Sequence, residues 1–340
     1  MGRPSGRPFS FSQTPPSACA GLLRVAPAFA ADLPAAASAA NQPAEAIYPT
    51  MPDHGIRLGR PLSEPIARVA LRLIVTVYLV LGAMYAVATP PWQAPDEPAH
   101  YNYVRYVATY GSLPELRPGD YPADYLEEIK ARRFAPELSI DPIRYESHQP
   151  PLYYLLASVV YRVAASLNLP LLVTLRAFSV FLGAMALLVA YRLTRALAPA
   201  SPLLALGATA FAGTLPMHVA MSAAVNNDVL AELLLITIGW QLVAMHADDW
   251  SPRRAVGIGA LLGLAVLTKM QAYVALLMAL TALVYDLGYD AGWRPRGGWR
   301  RIAGLAGIML GTALLMATPW LVRNAYLYGT KDLLVQVGHE

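Results

Sequence analysis

Two adjacent carboxylates carry the first chemistry this sequence offers. Asp96 and Glu97 stand in the stretch Thr89-Pro-Pro-Trp-Gln-Ala-Pro-Asp-Glu-Pro-Ala-His-Tyr101, just beyond the end of a long apolar run. A carboxylate so placed can take a proton from an attacking hydroxyl or amine, bind a metal ion, or cap a helix. Pro98 follows at once, so a helix starting there with Asp96 as its cap accounts for the pair equally well. Tyr103, Tyr106 and Tyr110 then recur on one helical face, which suits either a helix at headgroup level or an ordinary packed aromatic face. Gly111 is the expected stop. The same polar segment closes with Glu146-Ser-His-Gln-Pro-Pro-Leu-Tyr-Tyr154. There His148 has the chemistry to orient a substrate or to bind phosphate or metal, and as a loop residue it is also explained by simple solvation.

The elements that must position these groups are apolar helices. The chain of 340 residues is 56% hydrophobic and 14% charged, against about 25% charged in soluble domains. This identifies an integral membrane protein. Its formal net charge of +4 comes without any dense run of Lys and Arg, which excludes a nucleic-acid partner. The single cysteine, Cys19, excludes an internal disulfide framework. Residues 1–65 hold 11 of the 29 prolines and show no sustained period, so they read as a disordered tail ahead of a transmembrane domain over 66–340. Ala28-Phe29-Ala30 resembles a signal-peptidase site, but Arg24 and Pro27 interrupt the apolar stretch. Met51 is an alternative start.

Val69–Ala88 is long enough for the ~30 Å hydrocarbon layer. Further candidate spans are Leu171–Leu193, Leu203–Ala223, Val229–Ala247, Ala255–Leu267, Ala272–Leu287 and Ile302–Val322. Leu152–Leu167 is short and carries Arg162, and is predicted to lie in the interface rather than to cross. With a cytoplasmic N-terminus, the clusters Arg57/Arg60/Arg68/Arg72, Arg192/Arg195, Arg253/Arg254 and Arg294/Arg296/Arg300/Arg301 all fall inside, as positive-inside charge requires. The prediction is an all-α, polytopic protein of the cell membrane with about seven crossings. Residues 89–149 form its first extracytoplasmic loop, which carries ten acidic and six basic residues.

Four stretches, in order, resemble the GT-C superfamily of membrane glycosyltransferases, in the bacterial branch related to protein O-mannosyltransferases and the lipid A aminoarabinose transferase. They are Pro95-Asp-Glu97 with the following His100-Tyr101; His148-Gln-Pro-Pro-Leu-Tyr-Tyr154, similar to the family's His-Pro-Pro-Leu-Tyr-Tyr; Gly263-Leu-Ala-Val-Leu-Thr-Lys269; and Pro319-Trp-Leu-Val-Arg-Asn324 with Tyr328-Gly329. Asn226-Asn-Asp228 also looks like a segment of this branch. The resemblance covers roughly residues 68–330 and departs from the pattern at the inserted Gln149. Relatives usually continue with more spans and a soluble domain, so the chain reads as C-terminally truncated or minimal.

The resemblance implies transfer of a sugar from a polyprenyl-phosphate carrier to an extracytoplasmic acceptor, with a GT-C-like bundle holding the lipid. It implies Asp96 as general base, supported by Glu97. Lys269 and Arg323 would meet the phosphate charge, and His100, His148 and Asn324 would line the substrate. Headgroup snorkelling explains the two cations as well, and Arg105 and Arg144 read as either phosphate contacts or solvated charges. No cofactor or metal is implied, and the expected partners are the lipid-linked donor and membrane lipids. Asp248-Asp249 lacks the spacing of a metal-binding Asp-x-Asp and reads as a solvated turn. A transporter or lipid flippase and an inactive GT-C fragment are the competing readings; the former lacks a visible internal repeat.

Overall fold

The computed structural model describes residues 62–245, 249–290 and 298–335, all within one compact unit spanning Leu58–Glu340. The proline-rich tail, Arg57, Arg60, Asp248, Arg294 and Arg296 lie outside the described residues. Among the described residues every regular element is helical. α1 (Glu64–Ala88) is followed by α2 (Glu97–Tyr110), α3 (Ala123–Ala131) and α4 (Leu152–Ser166). α5 (Leu171–Leu197), α6 (Pro202–Thr214), α7 (Pro216–Ser222) and α8 (Asp228–Val243) come next. α9 (Pro252–Val266), α10 (Tyr273–Asp290) and α11 (Gly298–Tyr328) complete the set.

Four helices are long and apolar enough to cross a bilayer: Glu64–Ala88, Leu171–Leu197, Met270–Gly288 and Gly298–Tyr328. α1 shows the physics. Its buried residues are Ala67, Tyr78, Gly82 and Ala86, while Ile66, Val69, Leu73, Val80, Met84 and Val87 face outward. An apolar outer face of this extent has no place in water and belongs against lipid.

Leu203–Ala223, expected as a span, is the pair α6 and α7, bent by 65°. The break falls at Leu215–Pro216, where the proline ring cannot donate to the preceding turn and would clash with it. Counted as one span, the pair raises the number of crossing-competent segments to five. α8 and α9 are 16 and 15 residues long, below the ~20 that a bilayer core asks of an upright helix.

The ends of the bundle are clearly differentiated. Glu64 pairs with Arg195 at 2.7 Å, joining the start of α1 to the end of α5. Trp250 donates to Asp286 at 2.8 Å and Arg301 donates to the Trp250 carbonyl, joining the start of α9, the end of α10 and the start of α11. Arg68, Arg72, Arg192, Arg253, Arg254 and Arg300 sit on the helix termini of this same end. The opposite ends of α1, α5, α8, α9 and α11 meet the polar segment 89–151. α9 and α11 approach backbone to backbone: a Cβ at Gly259 would lie 2.4 Å from the Met309 carbonyl oxygen, and one at Gly263 would lie 2.9 Å from Met316 Cβ. Small residues four apart allow this backbone contact.

α4 is a short apolar helix packed on α2 and α5. Its one charge is not loose: Arg162 donates to the carbonyls of Ala108 and Val107 at 2.8 and 3.1 Å. The Ala108 carbonyl is in the last turn of α2, Val107 also accepts from Gly111 N–H, and a cation here meets the negative end of the helix dipole.

Candidate functional site

The polar segment leaves α1 through a tight turn containing non-glycine residues in left-handed backbone, Trp92 (φ 68°) and Asp96 (φ 56°). Asp tolerates this region better than most residues. The consequence is chemical. Asp96 occupies the cap position of α2, yet its side chain makes no capping bond; only its main-chain carbonyl does helix work, accepting from His100 N–H at 3.1 Å. The capping alternative therefore fails. Asp96 Oδ1 instead accepts a 2.6 Å hydrogen bond from the Tyr145 hydroxyl, across the loop, and the residue is exposed.

Glu97 has the opposite environment. It is fully buried, and Arg176 of α5 grips both its oxygens, Nε to Oε1 at 2.7 Å and Nη2 to Oε2 at 2.5 Å. Trp92 N–H and Val225 N–H donate to the same carboxylate at 3.3 and 3.2 Å. The remaining guanidinium protons of Arg176 go to the carbonyls of Ala86, Thr89 and Pro90. One ion pair thus ties the end of α1, the start of α2, the start of α5 and the turn before α8. Glu97 has no open side toward a substrate, so the support it gives Asp96 runs through backbone placement.

His100 lies one turn into α2. Its Nδ1 is 2.8 Å from the Tyr154 hydroxyl, and burial lowers its pKa against the pull of Glu146, Asp96 and Asp228 and alongside the push of Lys269. All four charges act on it. The ring of Tyr154 also stacks on Tyr103 at 3.7 Å, nearly parallel. Of the three periodic tyrosines, Tyr103 is buried in this stack and Tyr110 is exposed, so one face serves both packing and surface.

A 3₁₀ turn over Tyr145–His148 supplies the far wall. His148 Nδ1 lies 2.8 Å from the Tyr145 carbonyl; since a carbonyl only accepts, Nδ1 carries the proton. Beside it, Glu146 is buried and its Oε2 has no hydrogen-bond partner. Gln149 is the loop's tie to the bundle: its side-chain oxygen accepts from Asn227 at 3.2 Å and its main-chain oxygen from Tyr103 at 3.3 Å. Asn227 also donates to the Thr268 carbonyl at 2.8 Å, and Leu152 N–H reaches the Leu267 carbonyl at 2.8 Å.

Lys269, just past α9, forms a short ion pair with Asp228 at the start of α8 and joins the group around His100. Arg323 does not. It donates to the carbonyls of Leu113 and Pro114 at 3.2 and 2.6 Å and reaches the cluster only through Tyr103. Asn324 is completely buried and holds the Leu333 carbonyl at 2.9 Å. Asp96, His100, His148 and Lys269 are therefore gathered at one end of the bundle; Arg323 braces the loop above it, and Asn324 holds the segment after α11; Glu97 is sealed beneath.

Sequence reasoning missed Arg176, Tyr145, Glu146 and Asp228 as members of this arrangement. Arg176 had a usable signal, a lone arginine inside an apolar span. Tyr145 and Glu146 had none, because their role depends on a loop folding back. Among the described residues no three or more His, Cys, Asp or Glu gather in a metal-ligating group. Comparison with protein-family models, curated proteins and solved structures gives no match for this chain.

Proposed function

We propose that this protein is a membrane glycosyltransferase of GT-C type that moves a sugar from a polyprenyl-phosphate carrier to an acceptor at the loop end of the bundle. The observation that carries this reading is Asp96: an exposed carboxylate at the membrane-side end of a polar loop, held by Tyr145 and sharing a charge cluster with Lys269. In the reaction, an acceptor hydroxyl attacks the anomeric carbon and its proton passes to Asp96. The bond from that carbon to the phosphate oxygen breaks, and the polyprenyl phosphate departs with the electron pair. Lys269 then stabilises the phosphate charge, which requires it to divide its contact with Asp228. Tyr145 orients the base, and Glu97 with Arg176 fixes the turn that presents it.

An apolar groove of about 700 Å³ between α5, α8 and α10 supports the lipid part of the reading. Val274, five residues beyond Lys269, lines it, and it continues along α10 to Asp286. Its other walls are Leu193 and Leu197 of α5 and Leu242 and Val243 of α8, so it runs from the arginine-rich end toward the Lys269 side and has room for an alkyl chain. The arginine-rich end of the bundle supports a cytoplasmic N-terminus by the positive-inside rule, with the loop outside. On this reading α8 and α9 also cross, at a thin part of the bilayer, giving seven passes.

The test is transfer of labelled sugar from a panel of polyprenyl-phosphate hexoses by the purified chain in nanodiscs. Asp96→Asn should lower the rate at least a hundredfold while thermal melting stays unchanged, in line with about 10²–10⁴-fold for general base catalysis. Activity that survives this change removes Asp96 as the base. Cysteine-labelling in a Cys19→Ser background should place Glu115 and Asn168 on the outer side and Arg195 on the inner.

A further inference from the structure

A second cavity lies along α2, beyond the cluster around His100. It measures about 320 Å³ and is lined from α2 by Asn102, Arg105, Tyr106 and Thr109, and from the opposite strand of chain by Asp141 and Arg144. That volume is at the lower end of ligand-sized pockets. It is joined to the site already described. Tyr103 lines it while stacking on Tyr154, and Ser147 lines it from the turn that also carries Tyr145, the partner of Asp96.

Its charge is not balanced. Arg105 forms a short ion pair with Asp141, and that hydrogen bond, the largest influence, holds the Asp141 carboxyl below its ordinary value. Arg144 gives only its Nε, to the Asp141 carbonyl at 2.9 Å. Two guanidiniums against one carboxylate leave a net positive wall, with the Nη atoms of Arg144 available to a planar anion. A guanidinium presents such donors as a fork suited to carboxylate or phosphate.

The rest of the wall suits a polyhydroxylated ligand. The rings of Tyr106 and Tyr110 lie 4.7 Å apart and both face the cavity, offering apolar surface to the C–H face of a sugar with hydroxyls at its rim. Asn102 spends both amide protons on the carbonyls of Ile140 and Ile143, at 2.6 and 2.8 Å, and its oxygen is buried, so it fixes the wall and does not contact a ligand. Aromatic faces and one surplus guanidinium together describe recognition of a sugar that carries an acid group.

We propose that this pocket binds an acidic saccharide and that, resting on the transferase reading above, it is where the acceptor lies, running along α2 toward Asp96. The binding claim needs no turnover and is tested without it. Full-length protein in phosphatidylcholine nanodiscs is titrated with tri-galacturonate and with neutral maltotriose. Tri-galacturonate should bind saturably at millimolar concentration or below, and maltotriose at least tenfold more weakly. Arg144→Gln should reduce tri-galacturonate affinity about tenfold, as expected for losing a charge-assisted pair, without altering maltotriose. Thr109→Trp, at an exposed position, should block both by filling the cavity, so the result does not hang on one variant folding. Because the readout is binding and not transfer, its outcome stands apart from the catalytic assignment of Asp96. Equal affinity for the two trisaccharides, no saturable binding of tri-galacturonate, or full affinity in both pocket variants would overturn the proposal. So would loss of tri-galacturonate binding when phosphatidylglycerol replaces phosphatidylcholine, because the pocket would then be a lipid-headgroup site.

Discussion

Arg176 and Glu97 form a two-pronged ion pair in which neither side chain is more than 2% exposed. Both charges are also hydrogen-bonded to backbone on every remaining side, a condition that lets a buried pair exist at all. Removing one partner strands the other. Glu97→Gln or Arg176→Met should each destabilise the protein by roughly 3–5 kcal/mol. The double variant should recover part of that loss, because no uncompensated charge remains. Melting in detergent, read as a double-mutant cycle, checks this; simple additivity of the two losses would show that the pair does not act as a unit.

His100 gives a pH signature. Burial lowers its pKa below the ordinary 6.5, so the folded state binds the proton more weakly than the unfolded chain does. The neutral form therefore contributes stability fully above that ordinary value, and the contribution is lost as pH falls from there toward the depressed folded value. Between pH ~7.5 and ~5.5 the wild-type melting temperature should fall more than that of His100→Gln, which cannot take the proton. Parallel curves for the two proteins would show that His100 is not the group responsible.

The contact of α9 with α11 depends on having no side chain at Gly259, where an added Cβ meets the Met309 carbonyl oxygen at 2.4 Å and Thr312 Cβ at 2.9 Å. Backbone cannot swing aside as a flexible side chain can. Gly259→Ala should cost about 1–3 kcal/mol. Gly257→Ala, two residues away with nothing within 4 Å, should be neutral or slightly stabilising through helix propensity. The paired melting curves separate overpacking from propensity, and equal effects would refute the close approach.

Much of this architecture was readable in the residues. The apolar runs located every long helix, and Gly111 stopped α2 where its left-handed φ of 68° now stands. Arginine placement distinguished the two ends before any helix was drawn. What the sequence concealed was direction and depth. Asp96 and Glu97 are neighbours with the same chemistry on paper, and only the left-handed turn at Asp96 sends one carboxylate outward and the other into the bundle. Leu203–Ala223 had the length of a span, but Pro216 stands inside it, where α6 stops and α7 opens with that proline in its first turn, and the pair is bent. Arg323 matched a motif, and it also donates to Leu113 and Pro114, a contact no local pattern encodes. Gln149 looked like an interruption and is instead a strut to Asn227.

Arg323 and Tyr328 clasp Leu113, Pro114 and Leu116 across separations of 210, 209 and 212 residues. The ribosome makes those partners far apart in time: at roughly 5–20 residues per second the clasp arrives on the order of ten to forty seconds after the segment it closes. Until then the two carbonyls and the Leu116 N–H lack these partners. The final form of the early segment is thus set only once α11 has been made.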